Sequence, residues 1–361
     1  MKYISIIAMA IAMCGAGRGG YACTGITLKS TDNSLVVART MDWSREELNN
    51  MYVIVPRGRT TQSVLPDGRA GGVEFTTRYG FAGLAVEQPE FVIDGINEAG
   101  LGAALFYSPG YGKYVEYNPD YNDKTLADFQ VVSWILSQFS TIDQVQAAIQ
   151  DVRIVNVDTR TTTVHWRIVE SSGRQVVLEI VDGVPHFYEN EIGVLTNAPG
   201  FPWMMTNLNN YVNLHPGTAG PTNIRNLHMA AFGSGSGLHG LPGDMTPPSR
   251  FVRAAFLQSG AIPQDTGYQT VLQAFHILNN FDVPVGAQFA VGTAPNNMPS
   301  ATQWTVATDM ANGTIYYHTM YSRAIRSIDL SQIDFETVPY QAHPLDMRHA
   351  ETITAAPYAG K

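Results

Sequence analysis

Cysteine is almost absent from this sequence, which has only Cys14 and Cys23 among 361 residues. Neither thiol belongs to a CxxC pair, no HExxH motif occurs, and the nine histidines lack metal-ligand spacing. Because structural and catalytic zinc sites need such spaced ligands, we expect no bound metal.

Positive charge and long apolar runs are also scarce. Lysine and arginine total 22 against 31 acidic residues, so the formal net charge is −9. Nucleic acid and anionic membrane surfaces are therefore not expected partners, since both attract basic surfaces. No apolar run reaches the length of about 20 residues that spans a bilayer, so we expect a soluble mature protein. The composition is that of an ordinary globular chain, 45% hydrophobic and 15% charged.

The first 22 residues have the pattern of a secretory signal peptide. Lys2 precedes a mostly apolar run over residues 3–14, and the small residues Gly20 and Ala22 fit the rule for signal peptidase. Cleavage after Ala22 is expected, followed by one domain over residues 23–361. The leader predicts a periplasmic or secreted protein.

That cleavage would leave Cys23 as the only cysteine and as the first residue of the mature chain. A free cysteine is often buried and inert, but an unpaired cysteine in an exported protein is a candidate reactive thiol. In an alternative interpretation Cys14 is lipidated, although Met13 is larger than the residue such sites accept. Cys23 would then not be a chain terminus.

The pattern of apolar residues predicts strands, then helices, then strands again. Strands are predicted at residues 24–28, 35–41, 51–55, 91–93, 162–170, 176–181, 192–195, 304–309 and 314–320. Helices are predicted within residues 125–150, with a capping box at 141–144, and at 203–212, 250–258 and 270–280. Hairpin turns such as Asn312-Gly313 favour an α+β fold with antiparallel sheets.

Two common enzyme motifs do not explain the chain. Residues 235–240 match the dinucleotide fingerprint GxGxxG formally, but they do not clearly follow a strand and open a βαβ unit. They are interpreted as a flexible loop, and no cofactor is expected. The GxSxG motif of serine hydrolases is absent.

Several polar residues stand out, although each has an ordinary explanation when taken alone. Arg39 and Asp42 are three residues apart on a predicted strand, so their side chains point to opposite faces unless the strand bends. The ordinary explanation of such a pair is a surface ion pair. Asn197 follows a predicted strand and could form a turn. Arg250 begins a helix, where it could be solvated. Asp94-Gly-Ile-Asn-Glu-Ala-Gly100 has the composition of a tight turn between strands.

Together these segments resemble the choloylglycine hydrolase family, which includes penicillin V acylases and conjugated bile salt hydrolases. The matching motifs are Cys23-Thr-Gly, Ala38-Arg-Thr-Met-Asp42, Asp94-Gly-Ile-Asn-Glu-Ala-Gly-Leu101, Gly193-Val-Leu-Thr-Asn-Ala-Pro199, Leu241-Pro-Gly-Asp-Met-Thr-Pro-Pro-Ser-Arg-Phe251 and Phe275-His-Ile-Leu278. The resemblance implies a four-layer αββα sandwich of the N-terminal-nucleophile hydrolase type and a homotetramer.

The resemblance also implies a set of catalytic residues. Cys23 would be the nucleophile, and Asn197 would form the oxyanion hole with the Tyr107 backbone N–H. The other implied active-site residues are Arg39, Asp42 and Arg250. A free α-amine has a pKa of about 7.7–8.0, so the amino group of a terminal cysteine can accept the thiol proton.

The implied substrate is a small molecule with a linear amide bond. Tyr107 favours a penicillin V acylase-like activity, because bile salt hydrolases usually have asparagine there, and Trp43 is expected to line the same pocket. Conjugated bile salts and acyl-homoserine lactones are alternative substrates for the same mechanism. A non-catalytic binding protein with the same fold is the alternative of another class.

Overall fold

A computed structural model of the chain describes residues 23–43, 46–158, 161–293 and 302–357. The predicted signal peptide, its cleavage site after Ala22 and Cys14 lie outside these residues. None of the helices in these ranges is long and apolar enough to cross a membrane.

The described residues form strands and short helices in the order predicted from the sequence. The strands are β1 (Gly25–Lys29), β2 (Leu35–Asp42), β3 (Asn50–Val55), β4 (Thr60–Val64), β5 (Ala70–Thr76), β6 (Phe81–Val86), β7 (Val92–Asn97), β8 (Leu101–Tyr107), β9 (Thr125–Ala127), β10 (Arg153–Val155), β11 (Val164–Glu170), β12 (Gln175–Val181), β13 (Val184–Glu189), β14 (Thr222–Ile224), β15 (Leu227–Met229), β16 (Thr302–Asp309), β17 (Thr314–Thr319), β18 (Arg326–Asp329) and β19 (Gln341–Pro344). The α-helices are α1 (Val131–Gln138), α2 (Ile142–Ala148), α3 (Phe201–Asn207), α4 (Pro247–Ser259) and α5 (Gly267–Leu278).

Two antiparallel sheets form the centre of the fold. One has five strands in the order β1-β2-β16-β17-β18, and the other has eight in the order β13-β12-β11-β8-β7-β6-β3-β19. Helices α4 and α5 pack on the five-stranded sheet, while α1 and α2 pack on the eight-stranded sheet. The predicted α+β class and four-layer αββα sandwich are therefore confirmed.

Burial of the strands follows from this layering. Every residue of β2 and β16 is buried, as expected for strands covered on both faces. Strand β3 instead alternates between buried and partly exposed residues. The polar residues of β2 are thus buried as well, and each needs a partner.

Most of the predicted elements are confirmed, and three need correction. Residues 192–195 form only an isolated bridge between Leu195 and Gly25, because the chain turns away after one pair of hydrogen bonds. The predicted helical block begins with strand β9 and a 3-10 turn before α1. The turn expected over residues 94–100 is confirmed only in its second half, where the Gly100 N–H donates to the Asn97 carbonyl between β7 and β8. Asp94 itself lies inside β7, between Leu84 and Ala104 of the neighbouring strands.

Candidate active site

Cys23 precedes the first strand and lies between the two sheets. Strand β1 pairs with β2 so that Gly25 lies opposite Arg39. The Thr24 N–H donates to Thr40 Oγ1 at 3.1 Å, and the Thr40 N–H donates to the Thr24 carbonyl at 3.0 Å. This register places buried Cys23 beside the end of β2, where Asp42 lies.

Arg39 contacts the sulfur directly. Its Nη2 lies 2.9 Å from Cys23 Sγ, and its Nη1 donates to the carbonyl oxygens of Leu105 and Ile93 on the opposite sheet. The guanidinium also lies over the Phe106 ring, 4.2 Å from the ring centroid. The sulfur of Cys23 thus lies within hydrogen-bonding distance of a cation that is itself held by the opposite sheet.

Asn197 and Arg250 hold the backbone of Cys23. Asn197 Oδ1 accepts from the Cys23 nitrogen at 3.0 Å and from Arg250 Nη2 at 2.6 Å. Arg250 Nη1 donates to the Cys23 carbonyl at 2.5 Å and to Thr24 Oγ1 at 2.8 Å. Burial lowers the pKa of Arg250 to about 10, while Asp42 and Cys23 act in the opposite direction.

The Asn197 amide group also reaches Tyr107. Its Nδ2 donates one N–H to the Tyr107 carbonyl at 2.7 Å. An asparagine amide has two N–H groups, and the second has no partner among the residues described. That N–H is available for an oxygen of a bound molecule.

Asp42 ends β2 as a buried carboxyl. Thr40 Oγ1 donates to its Oδ2 at 3.0 Å, whereas Oδ1 is buried without a hydrogen-bond partner in the described part of the chain. Burial raises the pKa of Asp42 to about 7. The Thr302 hydroxyl offsets part of this rise, although it lies outside hydrogen-bonding geometry to Oδ1. A new donor beside Oδ1 would therefore be strongly stabilised.

These positions decide between the interpretations of each polar residue. Arg39 and Asp42 do not form a surface ion pair, because both side chains are fully buried. Arg250 is not solvated at the start of α4, since its guanidinium reaches back to Cys23. The irregularity expected near Asp42 lies in the partner strand β16, where the register shifts between Thr302 and Trp304.

The residue at that register shift, Gln303, was missed by sequence reasoning. Its Oε1 accepts from the Leu48 N–H at 3.0 Å and from Asn50 Nδ2 at 2.8 Å. Its Nε2 donates to the carbonyls of Trp43 at 2.9 Å and Glu46 at 2.7 Å. One buried amide thus anchors the segment that follows Asp42, and no local sequence pattern indicates this role.

A largely apolar cleft of about 550 Å³, its open mouth included, reaches Cys23. Trp43 and Tyr107, the two predicted pocket residues, both line it. The remaining lining residues are Cys23, Arg39, Met41, Asp42, Leu48, Val86, Glu87, Phe91, Ile93, Leu105, Phe129, Asp158, Thr161 and Val164. A more polar cleft adjoins it and shares Glu87, Phe91 and Asp158. No group of three or more potential metal ligands occurs in the described ranges.

The sequence model of the linear amide C–N hydrolases, choloylglycine hydrolase family, matches residues 23–342. The chain is 32% identical over 318 residues to a bile salt hydrolase/transferase of Clostridium perfringens, covering 86% of this chain and 93% of that protein. It is 25% identical over 340 residues to a penicillin V acylase of Pectobacterium atrosepticum, covering 86% and 81% respectively.

The fold is similar to that of a solved structure from the same Clostridium species. The crystal structure of a variant conjugated bile acid hydrolase from Clostridium perfringens superposes with a TM-score of 0.79 at 28% identity. The match covers 93% of this chain and all of that one.

Proposed function

This chain belongs to the choloylglycine hydrolase family of linear amide C–N hydrolases, and we propose that it hydrolyses conjugated bile salts with Cys23 as nucleophile. The observation that carries the proposal is the 2.9 Å contact between Arg39 Nη2 and Cys23 Sγ at the inner end of an apolar cleft. A buried thiol beside a fixed cation is suited to nucleophilic attack.

In the proposed reaction, the α-amine of a terminal Cys23 accepts the thiol proton. The sulfur attacks the amide carbonyl, and the second N–H of Asn197 stabilises the resulting oxyanion together with the Tyr107 backbone N–H. The C–N bond then breaks, the amine leaves with the proton, and water hydrolyses the acyl-thioester. Loss of one oxyanion donor typically lowers the rate by about 10²–10³.

Removal of the leader is proposed to complete the site. Cleavage after Ala22 would convert the Cys23 nitrogen from one N–H donor into an amine with additional hydrogens. One hydrogen bond to Asn197 Oδ1 already exists, and the unpartnered Asp42 Oδ1 at the end of β2 is a suitable second acceptor. We therefore propose that export to the periplasm or outside the cell accompanies activation.

The lining of the cleft supports an apolar acyl group. Most of its lining residues are apolar, as in pockets that bind apolar ligands. Apolar side chains surround the sulfur, while Glu87 and Asp158 mark the passage into the adjoining polar cleft. A large apolar acyl group with polar substituents far from the amide fits this change from apolar to polar lining. The bile salt hydrolases among the relatives support the same class of substrate.

Tyr107 supports a second candidate, hydrolysis of penicillin V. Its ring lines the cleft next to Cys23 and can pack on an aryl ring such as a phenoxy group. The lower identity to the penicillin V acylase of Pectobacterium atrosepticum, 25%, places this candidate second.

A panel of substrates tests the proposal on the mature protein. Hydrolysis of glycocholate, taurocholate, penicillin V and a long-chain acyl-homoserine lactone would be compared as kcat/KM, with Cys23→Ala as the inactive control. We expect the highest value on a conjugated bile salt and no hydrolysis by Cys23→Ala. A higher value on penicillin V would reverse the ranking, and an active Cys23→Ala would exclude this nucleophile.

The assembly state is a further part of the proposal. We propose a homotetramer, since Ile224, Leu227 and Phe232 are exposed on one segment that includes β14 and β15. Exposed apolar groups of this kind commonly mark a protein–protein contact. Light scattering of the purified mature protein measures the mass directly, and a monomer at micromolar concentration would contradict the proposal.

A further inference from the structure

A buried histidine, His165, contacts the residue that precedes the proposed oxyanion donor Asn197. His165 belongs to β11, and both of its ring nitrogens have hydrogen-bond partners. Nδ1 lies 3.0 Å from Glu179 Oε1, and Nε2 lies 2.9 Å from the Thr196 carbonyl oxygen. Thr196 immediately precedes Asn197, yet the reaction described above has no use for His165.

Both partners of the ring are oxygen atoms, and the ring spans them through its two nitrogens. Burial alone would raise the pKa of Glu179, but the His165 hydrogen bond and the Phe201 N–H at 2.8 Å help to lower it. His165 and Glu179 thus form a buried hydrogen-bonded pair.

Other charged groups surround this pair. His186 lies opposite Glu179 on β13. The Phe106 ring packs edge-on against His165 with centroids 6.2 Å apart. Arg39 and Arg167 lie beside that same ring at 4.2 Å and 5.7 Å. His165 is therefore held among fixed aromatic and charged neighbours, with Glu179 as its hydrogen-bond partner at Nδ1.

The Thr196 carbonyl is an anchor for the Asn197 backbone. The preceding residue, Leu195, exchanges two backbone hydrogen bonds with Gly25, at 2.7 Å and 3.1 Å. After that bridge the chain leaves the sheet, and the His165 contact holds the next carbonyl. Thr196 Oγ1 donates to the Pro247 carbonyl at 3.1 Å, which ties the same residue to α4.

We propose that His165, paired with Glu179, is a positioning residue that fixes the Thr196–Asn197 peptide and thereby aims the second Asn197 N–H at the oxyanion. This inference rests on the proposed function, because it requires Asn197 to be an oxyanion donor. A donor displaced by about 1 Å loses much of its effect on the transition state. His165 therefore acts mainly on acyl chemistry, because the sulfur keeps its direct contact with Arg39.

The molecule contains a matched control in His318. It is also buried in a strand, β17, and packs on Phe275 with ring centroids 4.9 Å apart. Its Nδ1 has no partner in the described part of the chain, and burial lowers the pKa of His318 to about 3. It is a neutral core histidine outside the cleft, so replacing it tests the loss of a buried ring alone.

Two reagents separate the effects on the mature protein. Iodoacetamide alkylates Cys23 without forming an oxyanion, whereas 4-nitrophenyl butyrate acylates it through one, and both products are measured by mass. We expect His165→Phe to lower the acylation rate about 10–100-fold while alkylation stays within about twofold. His165→Gln, which restores one N–H donor, should recover part of the loss, and His318→Phe should change neither rate.

A charge variant provides a second readout. In Glu179→Gln the ring loses its carboxylate partner at Nδ1, so the ratio of acylation to alkylation should fall below the wild-type ratio. If His165→Phe fails to fold, the comparison of Glu179→Gln with the wild type tests the positioning role of His165 instead.

The outcomes distinguish this inference from the proposed function. If the wild type is acylated and His165→Phe is acylated equally fast, His165 has no positioning role although Cys23 remains the nucleophile. Equal losses of alkylation and acylation in folded variants would also overturn it, because they indicate general damage to the site. A wild type that alkylates but is not acylated would contradict both proposals.

Discussion

The two sheets contribute different things to the site. The five-stranded sheet and the chain entering it carry Cys23, Arg39 and Asp42, the charged and reactive groups. The eight-stranded sheet supplies carbonyl oxygens that hold Arg39 and apolar walls such as Ile93 and Leu105. The charged groups at the sulfur thus lie on one sheet and part of the apolar wall lies on the other, and substitutions should separate their effects.

The largest effect is expected on the five-stranded sheet, at Arg39. Arg39→Met removes the cation beside Cys23 Sγ, so both alkylation by iodoacetamide and amide hydrolysis should fall by about 10²-fold or more. Arg39→Lys keeps the charge but cannot reach the sulfur and both carbonyls of the opposite sheet at once, and an intermediate rate is expected. If mass measurements show that Arg39→Met is alkylated as fast as the wild type, the assignment of reactivity to the five-stranded sheet is wrong.

A smaller and pH-dependent effect is expected at Asp42. Burial raises the pKa of Asp42 to about 7, and an adjacent α-ammonium lowers it again. Wild-type kcat/KM should therefore rise as Asp42 ionises below pH 7. Asp42→Asn should lack that acid limb and reach a plateau about 10–100-fold lower, as expected for loss of a charged hydrogen-bonding partner.

The same substitution should alter stability with a defined sign. Because the folded pKa lies above the unfolded value of 3.8, the folded state holds a proton that the unfolded chain releases. This group therefore destabilises the fold as pH rises from about 4 to 7. The difference in Tm, Asp42→Asn minus wild type, should increase over that range. A constant difference would contradict the raised pKa.

The smallest effect is expected on the eight-stranded sheet, at Tyr107. Tyr107→Leu keeps the backbone groups and removes the aromatic wall, so alkylation should be unchanged while KM rises several-fold. The ratio of penicillin V to glycocholate hydrolysis should also fall, because aryl packing is lost. Tyr111→Leu is the control, since its exposed ring lies outside the cleft. A large loss of alkylation in Tyr107→Leu would show that the eight-stranded sheet also controls the reactivity of Cys23.

Sequence reasoning succeeded where function depends on local order along the chain. Cys23, Arg39 and Asp42 lie within twenty residues on paired strands, and Asn197 and Arg250 belong to recognisable motifs. The fold class followed from strand periodicity and hairpin turns. Site residues that other parts of the chain bring together were harder to predict.

The residues that were missed depend on distant partners. Gln303 contacts a segment more than 250 residues earlier, and His165 of β11 contacts Thr196, which lies outside the strands and 31 residues later. Asp94 was assigned to a turn because aspartate and glycine are common in turns. Its place inside β7 is set by neighbouring strands, which a single local pattern does not reveal.

The Gln303 side chain has a consequence for the cleft. Its amide holds Trp43 on one side and Leu48 and Asn50 on the other. We therefore expect substitutions of the Leu48 side chain, which lines the cleft, to change the cleft while the strand that ends at Asp42 stays in place.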